Sequence, residues 1–528
     1  MIDERKAKPD VLSRAHRPIQ SEQGGTMNDD RDFQQNDARF GKGVTRREAL
    51  MGSAALVVSR FGATVGLPAL ISGLAGSQPA LAQAARPNIV YIVADDMGWA
   101  DAGFHDSDIA TPNLDKLAQE GARLEQFYAQ PMCTPTRAAL MTGRYPLRYG
   151  LQTGVIPGAG TYGVPTDEYL LPQTMKDAGY KTAMVGKWHL GHAKTEYWPR
   201  QRGFDTFYGA LVGEIDHFKH ASHGVQDWYR NNTPLEENGF DNSLFGDEAA
   251  RVVEQHDPAS PLFLYLAFTA PHTPFQAPQE YLDRFKQIED ENRRTYAAMI
   301  SVLDDGIGKV VAALEKSGIR DNTIIVFHSD NGGVKNSMFA GDTKVGGELP
   351  ADNGPYRDGK GTLYEGGTRV AALANWPGRI KPGVIDGMIH VVDMYPTLAG
   401  LAGAGLDKNK PMDGMDVWAT VSEGKPSPRN ELVYNIDPMA GAVRRGDWKL
   451  VWKASLPQKI ELFNLAEDKS ETTDLAEQNP EKVAELQARI TELAAEMAPP
   501  QLLMEAVRLT FFAPPVTADP SVLFSLGD

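Results

Sequence analysis

The segment Cys133-Thr134-Pro135-Thr136-Arg137 has the clearest capacity for chemistry, and it contains the only cysteine among the 528 residues of the chain. Thr134 and Pro135 are residue types that begin helices and Gly143 is one that ends them, so the pattern predicts a short helix with Thr134 as its N-cap. Cys133 would then lie at the positive end of the helix, where unpaired backbone N–H groups stabilise an anion by roughly 0.3 to 1 kcal/mol. A lone cysteine is more often a small buried apolar side chain, so both interpretations stay open on this evidence alone.

Oxygen-bearing side chains directly follow two apolar runs, 88–94 and 322–328, that are typical of strands buried on both faces. The carboxyl ends of parallel strands meet at the edge of an α/β sheet where ligands bind. Adjacent carboxylates repel each other unless a cation lies between them, and a set of oxygen ligands selects a hard cation. We therefore predict a site for Ca²⁺, with Mg²⁺ as the alternative, whose ligands are Asp95, Asp96, Asp330 and Asn331.

Basic side chains occur in three later loops. Lys187 and His189 follow a short predicted strand, and in an extended backbone both would point to the same side. His272 lies between two prolines, which hold the chain extended after a predicted strand at 262–267. Lys360 lies in a glycine-rich loop. Taken alone, Lys187 and His189 are modest evidence, because a lysine or histidine in a loop is usually solvated, and the alternative for Lys360 is an ordinary flexible turn.

The order of these segments resembles that of the type I sulfatases, a family of the alkaline phosphatase superfamily. The resemblance rests on Cys-x-Pro-x-Arg at Cys133 and on the later segment Gly-Lys-Trp-His that contains Lys187, and it covers residues 87 to 500. Thr136 replaces the serine that is commonest in the motif, which keeps the hydroxyl group. In this family the cysteine is oxidised to formylglycine (3-oxoalanine), and the hydrate of this aldehyde is the nucleophile.

The resemblance also implies the chemistry. One hydroxyl of the hydrate attacks sulfur, and loss of the proton from the other expels sulfate, whereas an ordinary serine would stay sulfated. The modified Cys133 would also bind the metal, and Asp330 would take up a hydroxyl proton. The implied catalytic residues are Cys133; Arg137, which holds the hydrate; Lys187 and Lys360, which hold sulfate oxygens; His189, the base for the second hydroxyl; and His272, which acts with Lys360 on the departing alcohol oxygen.

The resemblance implies an α/β fold with an alkaline-phosphatase-like, mostly parallel central sheet flanked by helices, and a small C-terminal antiparallel α+β subdomain. Short apolar runs after residue 430 agree with the second part. We predict four parts, which are an N-terminal extension with a signal peptide (1–84), a catalytic domain (85–430), a C-terminal subdomain (431–500) and a tail (501–528).

The segment 203–245 is polar and aromatic without clear periodicity, and we interpret it as an insertion over the site. It lies between segments that supply predicted site residues, so its chain should pass near the mouth of the pocket. Asp216, His217 and His220 are polar side chains among apolar neighbours, a mixture that suits sugar hydroxyls against an apolar face. We predict that these three residues bind substrate, and a solvated loop without a ligand role is the alternative.

The N-terminal segment predicts export. Arg46 and Arg47 precede an apolar run that continues to Leu81, and small residues after it offer cleavage sites following Ala82 or Ala84. This pattern is similar to a twin-arginine signal peptide, so we predict passage through the twin-arginine export machinery to the periplasm. A transmembrane anchor is the alternative, but charged, Gly and Pro residues leave no clean apolar span of about 18 residues.

Charge and motif together limit the function. The net charge is -16 at pH 7, so the chain as a whole is a poor binder of nucleic acid. We predict a sulfuric ester hydrolase that cleaves aryl or carbohydrate sulfates, with a formylglycine-generating or sulfatase-maturating enzyme as its partner. The alternatives are a phosphonate or phosphate ester hydrolase of the same superfamily and a non-catalytic protein that binds sulfated glycans.

Overall fold

The strands and helices determine where the predicted site residues lie. The computed structural model describes residues 86–341 and 345–511, so the predicted signal segment and most of the predicted tail lie outside the described residues. The strands are β1 (Asn88–Ala94), β2 (Ala122–Leu124), β3 (Phe127–Tyr128), β4 (Lys181–Gly186), β5 (Thr206–Gly209), β6 (Ala221–Ser222), β7 (Val225–Gln226), β8 (Tyr229–Arg230), β9 (Thr233–Pro234), β10 (Leu262–Ala267), β11 (Thr323–Ser329), β12 (Ala372–Asn375), β13 (Gly383–Ile385), β14 (Ile389–His390), β15 (Glu431–Ile436), β16 (Ala440–Arg445), β17 (Trp448–Lys453) and β18 (Lys459–Asn464). The α-helices are α1 (Pro112–Gln119), α2 (Cys133–Thr142), α3 (Leu171–Asp177), α4 (Asp241–Glu254), α5 (Gln279–Leu282), α6 (Glu291–Lys316), α7 (Glu365–Thr368), α8 (Met394–Ala402), α9 (Trp418–Glu423), α10 (Pro480–Ala495) and α11 (Gln501–Phe511).

Strand β1 is buried on both faces, as its continuous apolar sequence predicts. Ile89 and Val93 pack into the apolar core on one face of the sheet, and Val90 and Ile92 pack into the core on the other face. This division follows from the alternation of side chains along a strand. Burial of both faces is typical of parallel strands that are covered by helices on each side.

The main sheet, as far as the described residues show it, has the strand order β13-β2-β12-β11-β1-β10-β4-β5-β8-β9. The central strands β11, β1, β10, β4 and β5 are parallel to one another, whereas β12 is antiparallel to both of its neighbours. Parallel pairing brings the carboxyl ends of the five central strands to one edge of the sheet. The predicted mostly parallel α/β architecture is therefore confirmed.

A second, antiparallel sheet lies near the C-terminus. Its strand order is β15-β16-β17-β18, and α10 packs on it through Leu486 and Ile490, which share an apolar core with Val443 and Leu450. The predicted small antiparallel α+β part is confirmed, and the boundaries of the four predicted parts stay predictions. None of the helices in the described part of the chain is long and apolar enough to cross a membrane.

The structure corrects the predicted start of the helix at Cys133. Helix α2 begins at Cys133 with Met132 as its N-cap, two residues before the predicted N-cap at Thr134. The Thr134 hydroxyl instead donates to the His189 carbonyl oxygen at 3.0 Å and accepts from a backbone N–H at 3.1 Å. Gly143 ends the helix as predicted, with φ of 67° in the left-handed region that glycine adopts readily.

The segment 203–245 is not an insertion along its whole length. Strand β5 within it belongs to the main sheet and pairs with β4, and helix α4 begins before the segment ends. Strands of two to four residues are too short to give a periodic pattern in the sequence. The sequence interpretation therefore missed the part of this segment that extends the central sheet.

Candidate active site

The carboxyl edge of the main sheet brings together the residues predicted from separate motifs. Asp95 and Asp330 directly follow the adjacent strands β1 and β11, and Lys187 follows β4. The loop after β10 carries His272. All four side chains are buried, so the site lies inside the fold at the edge where parallel α/β sheets place their ligands.

Two lysines pair with the two acidic residues that follow β1. The Lys187 ammonium lies 2.5 Å from Asp95 Oδ2, and the Lys360 ammonium lies 2.7 Å from Asp96 Oδ2. Burial alone would raise the pKa of Asp95, but Lys187 and neighbouring basic groups outweigh burial and lower this pKa. Asp96 has φ of 67°, a left-handed backbone that is uncommon for a residue other than glycine and that recurs at functional sites.

Arg137 joins helix α2 to the third carboxylate. Its guanidinium donates to Asp330 Oδ2 at 2.8 and 3.1 Å and to the Lys187 carbonyl oxygen at 3.2 Å. It also lies 3.5 Å from Asp95 Oδ1. Because a guanidinium keeps its charge at any working pH, the site holds a permanent cation one helical turn from Cys133.

Cys133 faces the carboxylates and is 1% exposed. Its Sγ lies 3.4 Å from Asp95 Oδ1 and 3.9 Å from Asp96 Oδ1. Burial and the Asp330 carboxylate raise the pKa of the thiol well above its usual value. The unmodified thiol is therefore protonated at neutral pH, and a protonated thiol is a poor nucleophile.

The site offers a ligand set that suits a hard cation. One ligand atom each from Asp95, Asp96, Cys133 and His272 lies within 4.8 Å of the others. Asn331 donates from Nδ2 to Asp96 Oδ1 at 2.8 Å, but its buried Oδ1 has no hydrogen-bond partner among the described residues. A buried amide oxygen without a partner is costly, and a cation held beside the carboxylates would satisfy it. The carboxylate and amide oxygens of the site therefore fit Ca²⁺ or Mg²⁺, whereas the Cys133 thiol and the His272 imidazole are not ligands that these cations prefer.

His189 has one ring nitrogen available as a base. Nε2 lies 3.0 Å from the Ile156 carbonyl oxygen and therefore carries the proton, whereas Nδ1 is buried and has no partner in the described part of the chain. Burial, reinforced by Lys187 and Arg137, lowers the pKa of His189 well below its usual value. At neutral pH the ring is thus a neutral imidazole with an unused lone pair at Nδ1.

His272 and Lys360 lie on the other side of Asp96. His272 Nδ1 lies 2.7 Å from the Thr273 carbonyl oxygen, and its Nε2 lies 3.6 Å from Asp96 Oδ2. Burial and Lys360 lower the pKa of His272, so a neutral ring carries its proton on Nδ1. Burial would also lower the pKa of Lys360, but Asp96 outweighs burial and raises it. Lys360 is therefore the group of this pair that keeps its charge.

His217 supports the loop that carries His272. The buried ring places Nδ1 2.9 Å from Asp241 Oδ2 and Nε2 3.1 Å from the His272 carbonyl oxygen. Both ring nitrogens face acceptors, so His217 donates from both as an imidazolium. Burial would lower the pKa of His217, but Asp241 outweighs burial and raises it. Sequence reasoning missed Asp241, because the only local signal is an acidic residue at the start of a helix.

Asp216 and His220 contact their own segment, and Asp216 Oδ2 also accepts from Gln276 Nε2 at 3.1 Å. Asp216 Oδ1 accepts from two backbone N–H groups of its own turn at 2.8 and 3.1 Å. His220 is buried, with its ring stacked on Trp228 at a centroid distance of 4.1 Å. The predicted binding of substrate by Asp216, His217 and His220 stays a prediction, and only Asp216 presents part of its side chain to solvent.

Known proteins match this chain along most of the described length. The sulfatase family model matches residues 87–404, and a model described as N-sulphoglucosamine sulphohydrolase, C-terminal, matches residues 356–498. Arylsulfatase J of Mus musculus is 40% identical over 387 residues, which are 71% of this chain and 63% of that protein. N-acetylgalactosamine-6-sulfatase of Mus musculus is 35% identical, over 69% of this chain and 71% of that protein.

Solved structures share the fold. Ps i-CgsB, in complex with k-i-k-neocarrahexaose, has a TM-score of 0.72 and 33% identity, over 80% of this chain and 97% of that one. Phosphonate monoester hydrolase of Agrobacterium radiobacter has a TM-score of 0.55 and 19% identity, over 78% of this chain and 96% of that one. This likeness shows the fold alone. The fold and its edge site define an alkaline-phosphatase-like α/β protein. The chain belongs to the sulfatase family.

The comparisons contradict the predicted periplasmic location. The curated relatives include proteins of mouse, human and Schizosaccharomyces pombe, whose cells have no periplasm served by twin-arginine export. The paired arginines that suggested this route, Arg46 and Arg47, lie outside the described residues. A twin-arginine pattern before an apolar run is a short motif, and here it led to a wrong prediction of location.

Proposed function

We propose that this protein hydrolyses sulfate monoesters, using formylglycine made from Cys133 together with Ca²⁺ or Mg²⁺. The observation that carries the proposal is the position of Cys133, whose buried Sγ lies 3.4 and 3.9 Å from the Asp95 and Asp96 carboxylates inside a group of cationic side chains. A protonated thiol is inert at this position, whereas an oxygen nucleophile there would have cations close by. An enzyme that oxidises Cys133 is part of the proposal as a partner.

The cation would be held by the four oxygen-bearing residues Asp95, Asp96, Asp330 and Asn331. When bound, it would polarise the sulfate group and favour the ionised form of a hydroxyl group bound to it. The formylglycine hydrate supplies a nucleophilic oxygen and a second hydroxyl whose ionisation allows sulfate to leave. These two groups supply the chemistry, and the side chains around them orient the ester and move its protons.

The cationic side chains of the site would stabilise negative charge in the transition state. Lys187 and Lys360 pair with different carboxylates of the Asp95-Asp96 segment, so the two ammonium groups can hold separate sulfate oxygens. Arg137 is fixed by two hydrogen bonds to Asp330, which prevents it from turning away when substrate binds. Preorganised charges of this kind need little reorganisation during the reaction.

His189 and Lys360 would carry the proton transfers. His189 would accept a proton at Nδ1, since Nε2 is committed to the Ile156 carbonyl oxygen. Lys360 would protonate or stabilise the departing alcohol oxygen, because it keeps its charge. His272 would assist from Nε2 when its ring is protonated. The predicted pairing of His272 with Lys360 is thereby refined to one in which Lys360 is the main donor.

We infer that the alcohol is a carbohydrate. N-acetylgalactosamine-6-sulfatases of five mammals are 33 to 36% identical to this chain, and the structure of Ps i-CgsB contains an oligosaccharide. An aryl sulfate serves as a general probe of the same reaction. Equivalent aryl phosphate and phosphonate esters test the alternative reaction, which is hydrolysis of phosphate or phosphonate esters.

Mass spectrometry and product analysis test this proposal together. We expect the peptide that contains Cys133 to carry the aldehyde, and the purified protein to release sulfate from an aryl sulfate and from a sulfated sugar. Removal of the divalent metal should abolish release, and the metal should restore it. A protein with an unmodified thiol and full turnover would contradict the nucleophile, and faster cleavage of phosphonate esters would contradict the reaction.

Gly213→Ala is expected to lower kcat by roughly 100-fold, because displacement of a catalytic group by about 1 Å has that effect. A Cβ at Gly213 would lie 2.5 Å from His189 Nε2 and 2.8 Å from Nδ1, so the ring would have to leave the Ile156 carbonyl oxygen. Steady-state kinetics with an aryl sulfate measure the effect. Gly383→Ala is the control, since its Cβ would meet nothing within 4 Å. An unchanged kcat for the Gly213 variant would show that His189 is not the base.

His217→Ala is expected to lower kcat/KM about tenfold or more for both a sulfated sugar and an aryl sulfate, on the order of 1.4 kcal/mol. The reason is that His217 donates to the His272 carbonyl oxygen, so its loss frees the loop beside the leaving group. His256→Ala is the control, because its ring lies 2.8 Å from the Ser260 carbonyl oxygen, just before β10 and at the opposite end of that strand from His272. A loss confined to the sugar would instead support direct binding of the sugar by His217.

Asp216→Ala tests the predicted sugar contact whose side chain is partly exposed. We expect it to lower kcat/KM for a sulfated sugar about tenfold while leaving an aryl sulfate nearly unaffected. The side chain of Asp216 is 23% exposed, so one carboxylate can contact a ligand. No loss on any sulfated sugar would leave Asp216 with the turn-forming hydrogen bonds that the structure shows.

A further inference from the structure

A segment that we call the Lys360 segment, residues 359–368, connects three parts of the active site. The backbone N–H of Gly361 donates at 2.8 Å to the chain just before Cys133. The backbone N–H of Lys360 donates at 3.1 Å to the chain just after Asn331. The segment therefore touches the loop before Cys133 and the loop that follows the predicted metal ligand Asn331, in addition to carrying Lys360.

The contact between the Lys360 segment and the loop after Asn331 is made by backbone atoms. Gly332 N–H donates to the Gly367 carbonyl oxygen at 3.0 Å, and a Cβ at Gly332 would clash with the Gly366 carbonyl oxygen. Packing this close leaves no room for one of the two segments to shift without the other. Any displacement of the Lys360 segment would therefore displace Asn331 as well.

Glu365 holds this segment in place, and most of the partners of its carboxylate come from the C-terminal sheet β15–β18. The buried Glu365 carboxylate accepts from Tyr128 at 2.7 Å, from Tyr434 of β15 at 2.7 Å and from Lys449 of β17 at 2.9 Å. Lys449 also lies 2.8 Å from Glu471 Oε1, and Glu471 Oε2 accepts from the Glu365 backbone N–H at 2.7 Å. The three charged side chains are all buried and form one cluster.

We propose that Lys449 is a positioning residue for the active site, which acts through Glu365 and Glu471 to fix Lys360 and Asn331. The inference rests on the proposed function for the role of Lys360 at the sulfate group. A buried cation between two carboxylates cannot be removed without leaving an uncompensated buried charge. The C-terminal sheet thereby becomes part of the catalytic apparatus although none of its residues reaches the predicted site.

The charge state of the anchor agrees with this role. Burial would raise the pKa of Glu365, but Lys449 and two nearby arginines outweigh burial and lower it to about 2. Glu365 is therefore ionised throughout the working range of pH. Its attraction to Lys449 is therefore constant. Burial outweighs Lys449 and raises the pKa of Glu471 to about 7, so Glu365 is the permanent part of the anchor.

Lys449→Met in the matured, metal-loaded protein tests the inference. We expect kcat/KM for 4-nitrophenyl sulfate to fall about tenfold or more, and backbone hydrogen exchange within residues 359–368 to become faster. Lys482→Met removes a lysine of helix α10 whose ammonium pairs with Glu485 of the same helix, and it should change neither quantity. In a Lys360→Met background, Lys449→Met should cost at most about twofold more, because both changes remove one function.

Tyr434→Phe provides a second test that keeps every charge in place. It removes one hydrogen bond to Glu365 and should also speed exchange in the Lys360 segment, whereas Tyr208→Phe removes a hydroxyl that donates to Glu237 elsewhere in the fold and should not. If Lys449→Met does not fold, the Tyr434 variant decides the question.

Unchanged hydrogen exchange in residues 359–368 would overturn the inference. It would also be overturned if Lys449→Met lowered kcat/KM by the same factor in the Lys360→Met background as in the wild type. Backbone hydrogen exchange can be measured whether or not the protein hydrolyses sulfate esters, so it tests the anchoring independently of the proposed function. A wild-type protein without sulfatase activity whose exchange still responds to these variants would refute the proposed function and leave the anchoring intact.

Discussion

Cys133→Ala should abolish turnover, and Cys133→Ser should stop after one sulfate transfer. We expect kcat to fall by on the order of 10⁴-fold or more in both variants, since loss of a covalent nucleophile has effects of that size. The serine variant has one hydroxyl, which can attack sulfur but leaves no second hydroxyl to release sulfate. Intact mass spectrometry after exposure to substrate should show a sulfated serine variant and an unchanged alanine variant.

Thr136→Ser provides the control for the Cys133 variants. Thr136 exchanges hydrogen bonds with the backbone of Gln130 at 2.9 and 3.0 Å, and a serine hydroxyl can make both bonds. Aldehyde formation and turnover should therefore persist in Thr136→Ser. Steady multiple turnover by Cys133→Ser would contradict the proposed mechanism, because it would show that one hydroxyl suffices.

Asp95→Ala and Asn331→Ala should each lower both the bound divalent metal and kcat/KM, by roughly 100-fold or more. Asp95 has the larger expected effect, because its loss also removes the partner of Lys187 and leaves that buried ammonium uncompensated. Asn331 would lose the amide oxygen that has no partner among the described residues. Elemental analysis and a metal titration of activity measure the two effects separately.

Asp321→Ala is the matched control for the metal ligands, since Asp321 is an exposed acid at the opposite end of β11 from Asp330. It should leave metal content and activity unchanged. A fully active wild type that contains no metal would contradict the metal site. Loss of activity in Asn331→Ala with full metal content would place the amide in substrate binding instead.

The central strands and the residues at their ends could be predicted from the sequence. Continuous apolar runs such as 88–94 have few alternatives to a strand buried on both faces, and the polar residue after such a run must lie at the edge of the sheet. Parallel pairing then brings Asp95 and Asp330 together regardless of the 235 residues that separate them. The motif around Cys133 then predicted that Cys133 and Arg137 belong to the same site.

Contacts that depend on tertiary packing could not be predicted. Lys187 pairs with Asp95 across 92 positions and Lys449 with Glu365 across 84, and no local pattern marks a lysine for either partner. His217 was predicted to bind substrate because it lies among polar and apolar residues in a segment expected to pass near the mouth of the pocket. Its burial is compensated by Asp241, a partner that only the folded chain reveals.

The complete burial of helix α2 has a consequence for when Cys133 can be modified. All ten residues of this helix are buried, so the finished fold offers no extended peptide to a modifying enzyme. The proposed oxidation of Cys133 would therefore have to precede folding of the chain around helix α2. Strand β11, whose end supplies the Asp330 partner of Arg137, is synthesised about 200 residues later, which at 5–20 residues per second is on the order of 10–40 s. The fraction of active molecules would then depend on the rate of oxidation relative to the rate of translation. Slower translation of the intervening 200 residues would raise this fraction.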